Sequence, residues 1–242
     1  MSTILITGAT SGLGAELARH YLNRGDRVIA CGRNAQALAA LQETHGDRVT
    51  TRLFDISDRQ AVTAALADVE ELDIAILNAG TCEYVDVAQF DATVFERVFA
   101  ANFLGAVYCT EALLPKLPRG ARLVYVDSLA RLLPFTRSQA YGASKAALHY
   151  FARTMEVDLK PRGIRVHTTS PGFIDTPLTR KNDFAMPMLI DVESAAKGII
   201  AGIDRGQRNI FVPWQFAAIL RLFGALPECM QVWLSSKMKG SL

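Results

Sequence analysis

The sequence predicts an α/β domain in which a parallel, doubly wound sheet of about seven strands carries helices on both faces. Three observations predict it. Short apolar runs alternate with longer amphipathic runs from residue 3 to residue 212. A glycine-rich turn, Gly8-Ala9-Thr10-Ser11-Gly12-Leu13-Gly14, joins the first apolar run to the first amphipathic one. The chain has 242 residues, 50% of them hydrophobic and 21% charged, which suffices for one substantial core and excludes a disordered chain.

Taken in order, residues 3–7 read as a strand, and residues 15–23 as a helix closed by Gly25. Glycines in the turn between them let the backbone bend tightly and approach a pyrophosphate, which the N–H groups of the helix start can bind. Residues 27–32 form a second strand, 35–44 a helix, and 49–55 a third strand. Ser57 caps a helix over 57–68, and 74–77 is a fourth strand ending at Asn78-Ala79-Gly80. A long helix covers 93–114, a fifth strand 123–126, a helix 139–159 and a sixth strand 164–169. Asp191 starts a helix over 192–205, and 210–212 is a seventh strand. Ligands of such sheets sit at the carboxyl ends of the strands, where the glycine turn, Asn78, Ser128 and Pro171-Gly172 all fall. With no internal linker, repeat or low-complexity stretch, residues 1–242 read as one domain.

A net charge of +2, with basic residues scattered among acidic ones, gives no reason to expect nucleic acid. Cys31, Cys82, Cys109 and Cys229 form no C-x-x-C pair and His20, His45, His149 and His167 no H-E-x-x-H spacing, so no metal site is expected. The cysteines read as reduced, mostly buried thiols of a cytoplasmic protein, and the histidines as structural or surface groups. The first residues carry neither a basic segment nor a long apolar one, so a secretory signal is not expected.

Tyr141 and Lys145 lie four residues apart in the 139–159 helix and so share a face, where an ammonium group beside a phenol favours the ionised phenol. A free phenol titrates near about 10, and each unit of depression needs about 1.4 kcal/mol of preferential stabilisation of the phenolate. The glycine spacing G-x-x-x-G-x-G differs from the common G-x-G-x-x-G fingerprint, and no Gly-Lys-Ser/Thr ending suggests a P-loop.

Thr7-Gly8-x-x-x-Gly12-x-Gly14, Asn78-Ala79-Gly80, Asn102 in Asn-Phe-Leu-Gly, Ser128, Tyr141-x-x-x-Lys145 and Pro171-Gly172 occur in the order and approximate spacing of the single-domain short-chain dehydrogenases/reductases, which the chain resembles over roughly residues 3–177. The resemblance implies a Rossmann-type fold and an NAD(P)(H)-dependent oxidoreductase interconverting a ketone or aldehyde and an alcohol. It implies that Tyr141 is the acid/base, that Lys145 binds the nicotinamide ribose and lowers the phenol pKa, and that Ser128 hydrogen-bonds the substrate oxygen. Asn102 would hold a water-linked relay to Lys145. The cofactor would meet Gly8, Thr10, Ser11, Gly12, Leu13, Gly14, Asn34, Ile56, Asn78, Ala79, Gly80, Tyr141, Lys145, Pro171, Gly172 and Ile174, with Asp55 at the adenine and Thr176 at the nicotinamide amide and phosphates.

At the end of the second strand, where an NAD site places a carboxylate, this chain has Gly32 followed by Arg33. The guanidinium can clamp a 2′-phosphate, so NADP(H) is expected over NAD(H); a merely solvated Arg33 is the alternative.

After Leu178 the chain departs from the family pattern. Residues 179–190 are irregular where the family carries its substrate lid, and Phe184, Met186 and Met188 suit either a wall for an apolar substrate or ordinary packing. The family's glycine-rich ending is replaced by two apolar helices, 214–226 and 229–238, the second followed by Lys239. Thirteen helical residues reach about 20 Å, short of the roughly 30 Å of a bilayer core, so the first does not span. A pocket-closing helix, a packing or dimer surface, and a peripheral membrane contact all remain open. Apolar residues on the 93–114 and 139–159 helices favour a homodimer. Glu83, Arg131 and Arg137 are loop charges that either orient a substrate or are simply solvated. From a different class, a catalytically silent dinucleotide-binding sensor or scaffold is the competing expectation.

Overall fold

Along β1 (Thr3–Thr7) Ile4 and Ile6 turn to one side and Leu5 to the other, and all three are fully buried. A strand apolar on both faces must be covered on both, which is the condition for a parallel sheet inside two helical layers. The computed structural model describes residues 1–182 and 184–239; Asp183 and residues 240–242, all within the divergent 179–242 region, lie outside the described residues. β2 (Arg27–Gly32), β3 (Val49–Leu53), β4 (Ile74–Leu77), β5 (Arg122–Val126), β6 (Arg165–Pro171) and β7 (Asn209–Val212) complete a seven-stranded sheet in the order β3-β2-β1-β4-β5-β6-β7. Every pairing is parallel. This is the Rossmann-type doubly wound sheet that the alternation predicts.

One layer is formed by α1 (Gly12–Asn23), α2 (Ala35–His45) and α7 (Val192–Asp204), whose Leu17, Leu22, Leu38, Ile199 and Ile203 pack on Ile4, Ile6, Val28 and Val124. The other holds α3 (Arg59–Leu66), α4 (Thr93–Phe99), α5 (Gly105–Leu113) and α6 (Gln139–Leu159), with Leu66, Cys109, Leu113, Leu148 and Ala152 packed on Leu5, Leu77, Leu123 and Tyr125. Beyond β7 come α8 (Trp214–Gly224) and α9 (Glu228–Lys239). Chain order reverses between β1 and β4, so a crevice opens at their carboxyl ends.

Several expectations change in detail. Asp58, not Ser57, caps α3: its carboxylate accepts from the N–H groups of Gln60 and Ala61, while the Ser57 hydroxyl donates to Asp55. The helix expected over 93–114 is interrupted by a π turn, Ala100–Leu104, between α4 and α5. Helix Thr93–Lys116 is long and apolar enough to cross a membrane by composition, yet its Val98, Asn102, Cys109 and Leu113 are fully buried against this chain's own sheet and helices. Asp191 caps α7 as expected, accepting from Ser194 N–H at 2.7 Å. Cys31 and Cys109 are buried, but Cys82 is only partly covered and Cys229 is exposed, so the expectation of mostly buried thiols holds for half of them.

Candidate active site

The floor of the crevice is built by Thr7, whose hydroxyl accepts from the N–H groups of both Asn78 and Ala79, each at 3.0 Å. Asn78 donates its side-chain amide back to the Thr7 carbonyl at 3.0 Å, so the ends of β1 and β4 are stitched together. Gly8 turns the chain with φ of 69°. A methyl on Gly14 would stand 2.2 Å from the Gly8 carbonyl oxygen, so only glycine lets the helix start close on the turn. The turn's backbone thereby lies open to the crevice, the geometry a pyrophosphate requires.

A single cleft of ≈ 1460 Å³ runs from this turn to α6. It collects Gly8, Thr10, Ser11, Gly12, Leu13, Arg33, Asn34, Asp55, Ile56, Asn78, Ala79, Gly80, Ser128, Tyr141, Lys145, Pro171, Gly172, Ile174 and Thr176. Of the residues that sequence assigned to catalysis or the cofactor, Gly14 and Asn102 lie off its wall: Gly14 beneath the turn and Asn102 fully buried behind Gly80. Asn34 spends its side-chain oxygen capping α2, accepting from Ala37 N–H at 3.0 Å. At the rim Arg33 donates to Asp55 at 3.0 Å. Burial pushes the Asp55 carboxyl up, but bonds from Ser57 and Arg33 outweigh it and hold the group below the usual range.

At the other end of the cleft Lys145 is buried and donates to the Val126 carbonyl at 2.9 Å, its Nζ 5.8 Å from the centre of the Tyr141 ring. Ser128 follows β5, and its hydroxyl interacts with the Tyr141 phenol. The proton balance differs from expectation. Burial pushes Tyr141 above the ordinary phenol value, reinforced by Cys82 and Asp127 and only partly offset by Ser128. Burial also lowers Lys145 to about 8 against the favourable charge of Asp127. Desolvation is the largest influence on the phenol, which keeps its proton. The Asn102 amide accepts from Thr81 N–H at 2.7 Å and donates to the Thr81 carbonyl at 2.9 Å and the Ser144 hydroxyl at 3.0 Å. It sits in the π turn, a distortion that frequently marks functional sites.

Several site residues carried no sequence signal. Cys82 stands close enough to raise the Tyr141 phenol, and Asp127, directly before Ser128, is buried and bound by Arg131 and His149. Arg131 is therefore held inside the protein rather than presented to a substrate, and Glu83 is paired with Arg97 at 2.7 Å. Arg137 lies over the Tyr84 ring at 5.3 Å. Beside the cleft, Tyr84, Phe184, Phe173 and Phe216 touch in series, with ring centres 5.6, 6.0 and 5.9 Å apart. Phe216 belongs to α8, whose buried face packs on Leu129 and Leu133 of the loop after Ser128.

The profile of the family described as short chain dehydrogenase matches residues 2–186. The chain belongs to this family. Its members are oxidoreductases, and this protein is one of them. It is 35% identical to an uncharacterized oxidoreductase of Myxococcus xanthus over 235 residues, 93% of each chain. It is 34% identical to a serine 3-dehydrogenase of Rhizobium radiobacter over 183 residues, 73% of this chain and 74% of that one. Among solved structures, the closed form of a serine dehydrogenase complexed with NADP+ superposes with a TM-score of 0.76 at 26% identity, covering 86% of this chain and 92% of that one.

Proposed function

We propose that this protein is an NADP(H)-dependent oxidoreductase that interconverts a ketone or aldehyde and its alcohol on a largely apolar substrate, with Tyr141 as the acid/base. The observation that carries it is the convergence of a protonated Tyr141 phenol, the Ser128 hydroxyl and the Lys145 ammonium at one end of a cleft whose other end is an open glycine turn. The turn and Arg33 fit the phosphates of a dinucleotide, and the Cβ contacts at Gly14 account for a cradle no larger residue would leave open. When bound there, NADPH supplies the hydride. Ser128 donates to the carbonyl oxygen, and Tyr141 transfers its phenolic proton to that oxygen as negative charge develops. Lys145, charged below about 8, then stabilises the phenolate that remains. Asn102 fixes Thr81 and Ser144, and through Ser144 the turn of α6 that carries Tyr141.

The serine dehydrogenase structure that resembles this chain carries NADP+, which supports the cofactor, and the aromatic series beside the cleft supports the apolar substrate. Unpaired cysteines suit a cytoplasmic protein, and the exposed Leu104, Tyr150 and Val157 on the helices from the π turn to α6 suit a homodimer. The test is NADPH oxidation with a panel of aryl and alkyl ketones, aldehydes and 3-oxo acids. Turnover is expected, falling by at least about a hundredfold in Tyr141→Phe, the scale of a lost general acid. NADPH binding without turnover across the panel would replace the enzyme with a dinucleotide sensor, and turnover undiminished in Tyr141→Phe would remove the assigned acid.

A further inference from the structure

Tyr141, Lys145, His149 and Arg153 recur every fourth residue along α6, so one helix face that should be apolar is polar from the cleft downward. The first two residues belong to the proposed chemistry. The third meets a group for which that chemistry has no role: His149 Nδ1 lies 2.7 Å from Oδ2 of Asp127, whose side chain is 0% exposed. Because a carboxylate only accepts, Nδ1 carries the hydrogen. Arg131 donates through Nε to the same oxygen at 3.0 Å, and its Nη2 reaches the Ser170 hydroxyl on β6 at 3.4 Å. The second carboxylate oxygen, Oδ1, is buried and has no hydrogen-bond partner among the described residues.

A buried carboxylate is costly unless it is paired, and this one has two donors crowded on one oxygen and none on the other. Its place in the chain is between the two parts of the site. The residue before it, Val126, accepts from the Lys145 ammonium at 2.9 Å; the residue after it is Ser128. We propose that Asp127, clamped by His149 and Arg131 between Val126, whose carbonyl holds the Lys145 ammonium, and Ser128, is a positioning residue of the Ser128, Tyr141 and Lys145 site. The inference rests on the oxidoreductase reading for its purpose but not for its physical content.

The charges around these groups are few. Facing Lys145 are Asp127 from the end of β5, Cys82 from the segment after β4, and Tyr141 from its own helix. Facing Asp127 are Arg131 from the following turn, His149 and Lys145 from α6, and at longer range Arg153 from α6. Of the two anionic or potentially anionic groups opposite Lys145, Asp127 has the larger effect, and it acts on Tyr141 in the same direction. One carboxylate thus favours the proton-bearing form of both groups. Without it, desolvation would drive the ammonium further toward the neutral amine, and Tyr141 would lose its counter-charge on becoming phenolate.

The test needs no substrate. The full chain is labelled with lysine carrying 13C at Cε, Lys145 is assigned by the signal lost in Lys145→Met, and its titration is followed by NMR. Asp127→Asn keeps the shape and removes the charge, and the midpoint for Lys145 is expected to fall by about one pH unit or more. Arg131→Gln removes a positive charge from the same cluster, and the midpoint is expected to rise. A role in packing alone would not give shifts of opposite sign. An Asp127→Asn protein that is folded and whose Lys145 midpoint stays put or rises overturns the proposal. If that variant does not fold, Asp127→Asn combined with Arg131→Gln decides: its Lys145 midpoint is expected to lie below that of Arg131→Gln alone, and an equal or higher midpoint overturns the proposal. Turnover with NADPH is measured beside it, so a wild-type protein that titrates as expected yet reduces no carbonyl would count against the oxidoreductase and not against Asp127.

Discussion

Arg33 shows how a single exposed side chain can carry cofactor choice. Its side chain is 74% exposed, and its pairing with Asp55 at 3.0 Å is of the surface kind, worth at most about 1 kcal/mol. Such a pair exchanges readily for a better anion, and a phosphate that the guanidinium can grip with two N–H groups is one. Arg33→Ala is expected to weaken NADPH binding by about tenfold or more while changing NADH binding little, since a hydrogen bond to a charged group contributes about 1.5–3 kcal/mol. Fluorescence titration of both cofactors checks this; equal affinity of the wild type for the two would end the NADP(H) preference. The residues placed around the cofactor and the reacting oxygen came from the family's motif order, and one cleft collects most of them because those motifs fall mainly at strand ends and on one face of α6. Asp127 and His149 were not legible as a pair, since their contact joins a strand end to a helix 22 residues later and nothing in either local pattern announces it. Nor could spacing reveal that Tyr141 is held protonated, because desolvation depends on what the folded chain packs around it.

Element boundaries followed from periodicity and caps to within a few residues, and the failures have local causes. The 93–114 pattern is apolar on one face throughout, so the π turn at Ala100–Leu104, which shifts the face without interrupting it, leaves no trace. Ser57 and Asp58 both have capping side chains, and only the competing bond to Asp55 decides between them. Helix α8 is the element whose role sequence left open. Its Phe216, Ala217 and Leu220 are buried on the loop after Ser128, whereas Trp214, Ile219 and Leu222 face outward. Phe216→Ala is expected to destabilise the protein by about 3 kcal/mol, the low end for a buried aromatic ring, and to raise KM for apolar ketones. Leu222→Ala, at a residue 68% exposed, should cost less than about 0.5 kcal/mol. Denaturant unfolding of the two variants checks the contrast; equal losses would mean that α8 is not anchored on the loop after Ser128 through Phe216.

At the scale of the molecule, the sheet order places the glycine turn and Asn78 on either side of one crevice, and β5, β6 and α6 bring Ser128, Pro171 and Tyr141 to its far end. The outward face of α6 leaves Tyr150 and Val157 more than 70% exposed, a patch that the proposed second copy of the chain would cover. Tyr150→Glu combined with Val157→Glu is expected to turn a dimer into a monomer in sedimentation velocity; a wild-type protein that sediments as a monomer would remove the homodimer. The crevice itself raises a geometric problem, because β4 ends at Leu77 while the wall must continue past Thr81. Asn102 solves it with a side chain. By accepting from Thr81 N–H and donating to the Thr81 carbonyl, its carboxamide makes the two bonds that a neighbouring strand would make, a one-residue splint for a segment that has run on past the end of β4. Replacing Asn102 by aspartate keeps one of those bonds and orphans the other, so such a variant would report on the path of the wall before it reported on any proton.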